Sequence, residues 1–134
     1  MAYWILKTEP SSYSFADLER DSQTTWDGVA NAQALINIRS MQAGDQVMIY
    51  HSGDERAVIG LAEVASLPYA DPQLNDPKRA VVDVRFVRHL PKPILLSTIK
   101  SDPVFAQLGL VRQSRLSVVP VDEELWQKLL EMAS

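Results

Sequence analysis

The sequence predicts an α+β domain built around a small, bent β-barrel. Three observations carry this. Five or so short apolar stretches with strand character alternate with short capped helical segments, and only brief turns separate them. The stretch AVVDVRFVRHL (80–90) alternates cleanly, with Val82, Val84 and Phe86 on one side and Asp83 and Arg85 on the other. Finally, 134 residues, 46% of them apolar and 22% charged, suit one hydrophobic core and leave two halves too small to fold apart. No repeat, low-complexity tract or Gly/Ser linker interrupts residues 1–134, which read as a single domain.

In chain order, residues 2–6 form a short buried strand closed by the Glu9–Pro10 step, because the residue before proline avoids the helical region. Ser14 caps a helix over FADLER, and Asn31 caps a second over AQALINIRSM that Gly44 stops. TTWDGVAN between them reads as turn. Residues 45–52 and 57–66 make a hairpin around Ser52–Gly53–Asp54. Prolines at 68, 72 and 77 mark a long surface loop. Strand 80–90 follows and is expected to end at LPKPI. Asp102–Pro103 opens a short helix through Gln107, RLSVVPV (115–121) is a last strand ended by Pro120, and Asp122 caps EELWQKLLEM.

Composition excludes several classes. Without cysteine there is no disulfide framework, thiolate metal site or thiol nucleophile, and the chain suits a reducing compartment: the cytoplasm, or the nucleus of a eukaryote. No apolar run is long enough to span a bilayer. A net charge of −4 and a pI near 5.1 argue against bulk electrostatic attraction to nucleic acid. Lys78, Arg79, Arg85, Arg88 and Lys92 nevertheless concentrate positive charge between 78 and 92. That stretch is either a solvated strand face or a local basic face.

Chemistry-bearing residues point to binding. His51 and Ser52 are neighbours on a strand, so they face opposite ways and do not pair as base and nucleophile. Neither His51 nor His89 belongs to a metal-ligand spacing, and the five glycines form no phosphate loop. We therefore expect no catalytic residue, metal or cofactor; a hydrolase using His51 or Asp27 is the weakest reading. Aromatic and polar groups gather instead at strand ends and turns: Trp4 and Lys7, then Trp26, Asp27, Gly28, Val29 and Asn31, then Tyr50, His51 and Ser52. An extruded base is held by an aromatic face and by hydrogen bonds to its edge. Trp26 is either such a wall or a plug at a barrel end. Asn31 is either an edge reader or a helix cap, and Trp4 and Trp126 read as core.

In order along the chain, YWILKTEP (3–10), WDGVAN-AQ (26–33), YHS (50–52), GLAEV (60–64), VDVRFV (82–87) and RLSVVPV (115–121) resemble the EVE-domain family, of the PUA-like superfamily and related to YTH domains. The resemblance runs from Tyr3 to about Leu130. It implies a PUA-like pseudobarrel with a cleft that binds DNA or RNA and takes a flipped, modified base such as methylated cytosine. Carried over by motif, that cleft is lined by Trp4, Lys7, Trp26, Asp27, Gly28, Val29, Asn31, Tyr50, His51 and Ser52. Arg115, Leu116 and Ser117 join them from the last strand, and Lys7, Arg39 and Arg115 supply charge for phosphate. Family members commonly read W-D-G-V-R-N-Y-Q-A-R through the loop. Here Ala30, Ala32 and Leu35 replace two cations and an aromatic. A pocket for a nucleotide-like or other small ligand, with no polymer bound, is the alternative.

Overall fold

A computed structural model describes residues 1–74 and 76–134. Its chain order is β1 (Tyr3–Thr8), α1 (Phe15–Asp21), β2 (Gln23–Trp26), α2 (Ala32–Arg39), β3 (Gln46–His51), β4 (Ala57–Val64), β5 (Tyr69–Ala70) and β6 (Ala80–Leu95). There follow α3 (Leu96–Ser101), a 3-10 turn at Pro103–Phe105, α4 (Gly109–Arg112), β7 (Val118–Val121) and α5 (Glu123–Met132). The strands form a seven-stranded sheet of order β2-β6-β4-β3-β1-β7, with β5 paired to β6. All its ladders are antiparallel except β1 with β3. The α+β class and the short helices are as expected, but the strands number seven, and β2 and β7 end the sheet without pairing to each other. The sheet is therefore open along one seam. Helix α2 packs across that seam against β6 and β7.

Local chemistry places the helices. Ser14 and Asp17 form a reciprocal capping box at the start of α1, and the Asn31 side chain accepts the Ala34 N–H at the start of α2. Asp102 likewise accepts the Val104 N–H ahead of Pro103, although only one 3-10 turn follows. Asp122 occupies the N-cap position of α5 without making a side-chain cap bond. Trp126 and Leu129 of that helix join Phe15, Phe105, Ile5 and Leu6 in the core.

Several expectations are corrected. Helix α2 ends at Arg39, before Gly44, which sits at φ +95° in the turn into β3. Thr24 to Trp26, the start of the TTWDGVAN segment read as turn, belong to the edge strand β2, and the proline-rich loop holds the short strand β5; Asn75 of that loop lies outside the described residues. Strand β6 runs through Pro91 and Pro93, because both fall in the irregular stretch between the His89–Gly60 and Ile94–Val58 pairs, where no ladder bond is required. Likewise β7 starts only at Val118 and continues through Pro120 to Val121. Among the described residues no helix is long and apolar enough to cross a membrane.

Candidate functional site

A cleft of about 730 Å³ opens at the seam of the sheet. One wall is Thr24, Thr25 and Trp26 of β2 and the loop Asp27–Ala30; the other is Lys7, Thr8 and Glu9 with Ser12, Tyr13 and Ser117. The cleft exists because the edges do not meet. The Lys7 N–H donates to the Ser117 carbonyl, which fixes the approach of β7 to β1 on one side. On the other, β2 pairs with β6 alone among the described strands, with Trp26 opposite Val82 and Thr25 opposite Asp83. Gly28, at φ +77°, lets the loop turn from β2 toward α2.

The aromatic part is a corner. Tyr13 meets Trp26 edge to face, with centroids 6.3 Å apart and planes at 86°. The Tyr13 hydroxyl donates to Asp21 Oδ2 at 2.8 Å, and burial pushes its pKa up. Trp26 is itself only 8% exposed, so it serves the core and the cleft at once.

The charged part centres on Lys7. Its Nζ donates to the Ser114 carbonyl at 3.0 Å and lies 5.8 Å from the Tyr50 ring centroid. It forms no ion pair among the described residues, and burial lowers its pKa. Desolvation disfavours the charged form, and an anion beside this ammonium, which has no carboxylate partner among the described residues, would favour it again. Glu9 also lines the cleft; its Oε1 accepts from the Ser11 N–H and hydroxyl, and its Oε2 lies over Gly53. Asp27 is exposed and makes no side-chain hydrogen bond among the described residues.

Of the residues expected at the site, Lys7, Trp26, Asp27, Gly28, Val29 and Ser117 line this cleft. Trp4 does not: it is buried and its Nε1 donates to Asp45 Oδ2. Asn31 is spent on its helix cap, and Leu116 is core. Tyr50 is buried behind Lys7. His51 is buried too; its Nε2 accepts the Phe15 N–H at the start of α1, and its Nδ1 faces Glu55. Ser52 Oγ donates to the Thr8 carbonyl beneath the cleft wall. Arg115 is exposed outside the lining, and Arg39, at the far end of α2, donates to the Lys78 carbonyl. Motif reading missed Thr8, Glu9, Ser12, Tyr13, Thr24, Thr25 and Ala30. Thr8, Glu9 and Ala30 stand inside motifs already singled out and were within reach of sequence; the β2 threonines depend on strand pairing.

Fold and cleft together define the class: a domain whose sheet leaves one polar, aromatic-cornered opening along an unpaired seam. The EVE domain family profile matches residues 2–132, and the chain belongs to the EVE-domain family. It is 31% identical to mouse thymocyte nuclear protein 1 over 97% of this chain and 73% of that protein. Among solved structures, protein Atu2648 from Agrobacterium tumefaciens superposes with a TM-score of 0.95 at 35% identity, covering 100% of this chain and 94% of that one. Human THYN1, solved in complex with 5-methylcytosine-containing DNA, gives 0.91 at 27% identity, covering 100% and 98%.

Proposed function

We propose that this chain is a non-catalytic module that binds DNA carrying a modified base, 5-methylcytosine being the leading candidate, and holds that base in the cleft after it leaves its stack. The observation that carries the reading is the pairing of the Tyr13–Trp26 corner with the half-buried Lys7 ammonium, in a family whose human member was solved with 5-methylcytosine DNA. The aromatic corner offers a face to the base, and Val29 offers apolar contact to a methyl group. Asp27 or Glu9 accepts the exocyclic amine of a cytosine, which only a hydrogen-bond acceptor can recognise. Lys7 and Ser117 serve the phosphate and sugar side, with Arg39 and Arg115 as more distant charges. Asn31 and Ser52 contribute by holding the loop and the Thr8 wall.

A non-catalytic role is supported by His51, whose ring nitrogens are engaged by the α1 backbone and Glu55 outside the cleft lining. The reading places the protein wherever the cell keeps its DNA, cytoplasm or nucleus. A second reading, a cleft for a free nucleotide or other small ligand, is favoured by the charge of −4 and by Ala30 and Leu35 at positions where the family resemblance implies arginine.

Tryptophan fluorescence tests the site. Of three tryptophans, only Trp26 lines the cleft. Removing its buried ring altogether would cost about 3–5 kcal/mol, so Trp26→Ala is expected to endanger the fold and Trp26→Phe is the useful variant. An oligonucleotide containing 5-methylcytosine should quench the wild type, and the quenching should vanish in folded Trp26→Phe. Undiminished quenching in that variant would place the ligand elsewhere.

A further inference from the structure

Tyr69 is the only aromatic among the large hydrophobic side chains exposed in the described residues, at 38%. It sits on β5 opposite Val81 of β6, while Thr25 of β2 is opposite Asp83. Residues paired across a ladder share a face, and so do residues two apart along a strand. Thr25, Asp83, Val81 and Tyr69 therefore occupy one face of the sheet. The Tyr69 hydroxyl donates to Asp83 Oδ1 at 2.6 Å, and Thr25 Oγ1 lies 3.3 Å from that hydroxyl and 3.2 Å from the same carboxylate oxygen. Thr25 lines the cleft. The Tyr69 ring is thus one side chain removed from the cleft rim, and two partners fix its orientation by the hydroxyl.

This arrangement also accounts for Asp83, the one acid in a basic stretch: it anchors the ring. Beyond it, the Asp71 N–H donates to the Arg79 carbonyl and extends the β5–β6 ladder by one step, which puts Arg79 two residues from Val81. Its guanidinium reaches Asp76 only at 3.9 Å, a loose exposed pair that costs little to exchange for another anion.

We propose that Tyr69 is a second stacking platform, which takes the base adjacent to the one in the cleft, with Arg79 as the cation nearest that nucleotide's phosphate. The proposal rests on the nucleic-acid reading above and adds a subsite outside the cleft. A flat aromatic accepts any base, so this subsite contributes affinity for a polymer without sequence preference.

The test compares wild type, Tyr69→Ala and Tyr69→Phe against two probes: 5-methyldeoxycytidine monophosphate, which fills the cleft alone, and a labelled oligonucleotide with one central 5-methylcytosine. Tyr69→Ala should weaken the oligonucleotide by about 5- to 150-fold, the range of one lost base stack. It should leave the monophosphate unchanged, and Tyr69→Phe should lose less than Tyr69→Ala. Wild-type oligonucleotide affinity in Tyr69→Ala would overturn the subsite and leave the cleft reading standing. An equal loss on both probes would also overturn it, by making Tyr69 a support of the cleft. A wild-type protein that binds the monophosphate and no oligonucleotide would overturn both.

Discussion

Lys7 shows how one residue can be costly to the fold and useful to the cleft. Its ammonium is partly removed from water, receives one carbonyl and no carboxylate among the described residues, and has a pKa held below its ordinary 10.5. The unfolded chain therefore binds this proton more tightly than the folded one. The resulting destabilisation is fully present below the lowered folded pKa and disappears as pH rises through 10.5. Replacing Lys7 with methionine keeps the stem and removes the charge. Urea unfolding should show Lys7→Met more stable than wild type at neutral pH, with the gap closing in alkaline buffer, and its oligonucleotide affinity should fall. A variant that is less stable at neutral pH would show that the Ser114 contact outweighs desolvation. Trp4 makes the opposite case. Its Nε1, the Ala2 N–H and the Gln42 N–H all donate to Asp45, so this tryptophan ties the first strand to the turn before β3 and has no part in the cleft lining.

Helix α1 and strand β4 meet at a closer tolerance than any motif suggests. A Cβ added at Gly60 would lie 2.1 Å from Phe15 Cε2, and Phe15 is fully buried under α1. Gly60→Ala must displace that ring, and with it the helix whose first N–H is held by His51. We expect a loss of about 1–3 kcal/mol in chemical denaturation, the usual cost of overpacking a tight core. Stability equal to wild type would show that the ring has room to shift. The same elements show what a sequence discloses. Starts of α1 and α2 were legible because Ser14 and Asn31 act on backbone groups three residues away. The hairpin was legible from two apolar runs set around the Ser52–Gly53–Asp54 turn. Strand β2 was not, since QTTW carries no apolar alternation and is extended only because β6 pairs with it. The cleft inherited this division: Trp26 to Val29 lay in a recognisable motif, whereas Thr24, Thr25 and Tyr13 join it through pairing and packing. Trp4 shares its motif with Lys7, Thr8 and Glu9 but is tied to Asp45, whereas the YHS motif lines nothing and lies behind the wall, Tyr50 under the Lys7 ammonium and Ser52 on the Thr8 carbonyl.

At the scale of the whole molecule, the open seam stands where a closed barrel would join β2 to β7, and it leaves a polar cleft in an acidic protein. A net charge of −4 provides no general attraction to a polyanion, so under the proposed reading binding rests on the cleft and on few cations: Lys7 within it and Arg79 on the neighbouring face. Each phosphate contact on a single strand contributes a salt slope of about 0.7, so a protein that uses one or two such contacts should show weak salt dependence. The most direct measurement is the affinity of the folded wild type for a labelled oligonucleotide with one 5-methylcytosine and for its unmodified twin, at low and high salt. A cleft that reads the methyl group should bind the methylated strand more tightly at both salts, with a shallow, matching slope for the two strands. Equal affinity for both strands, or no binding to either, would contradict that reading.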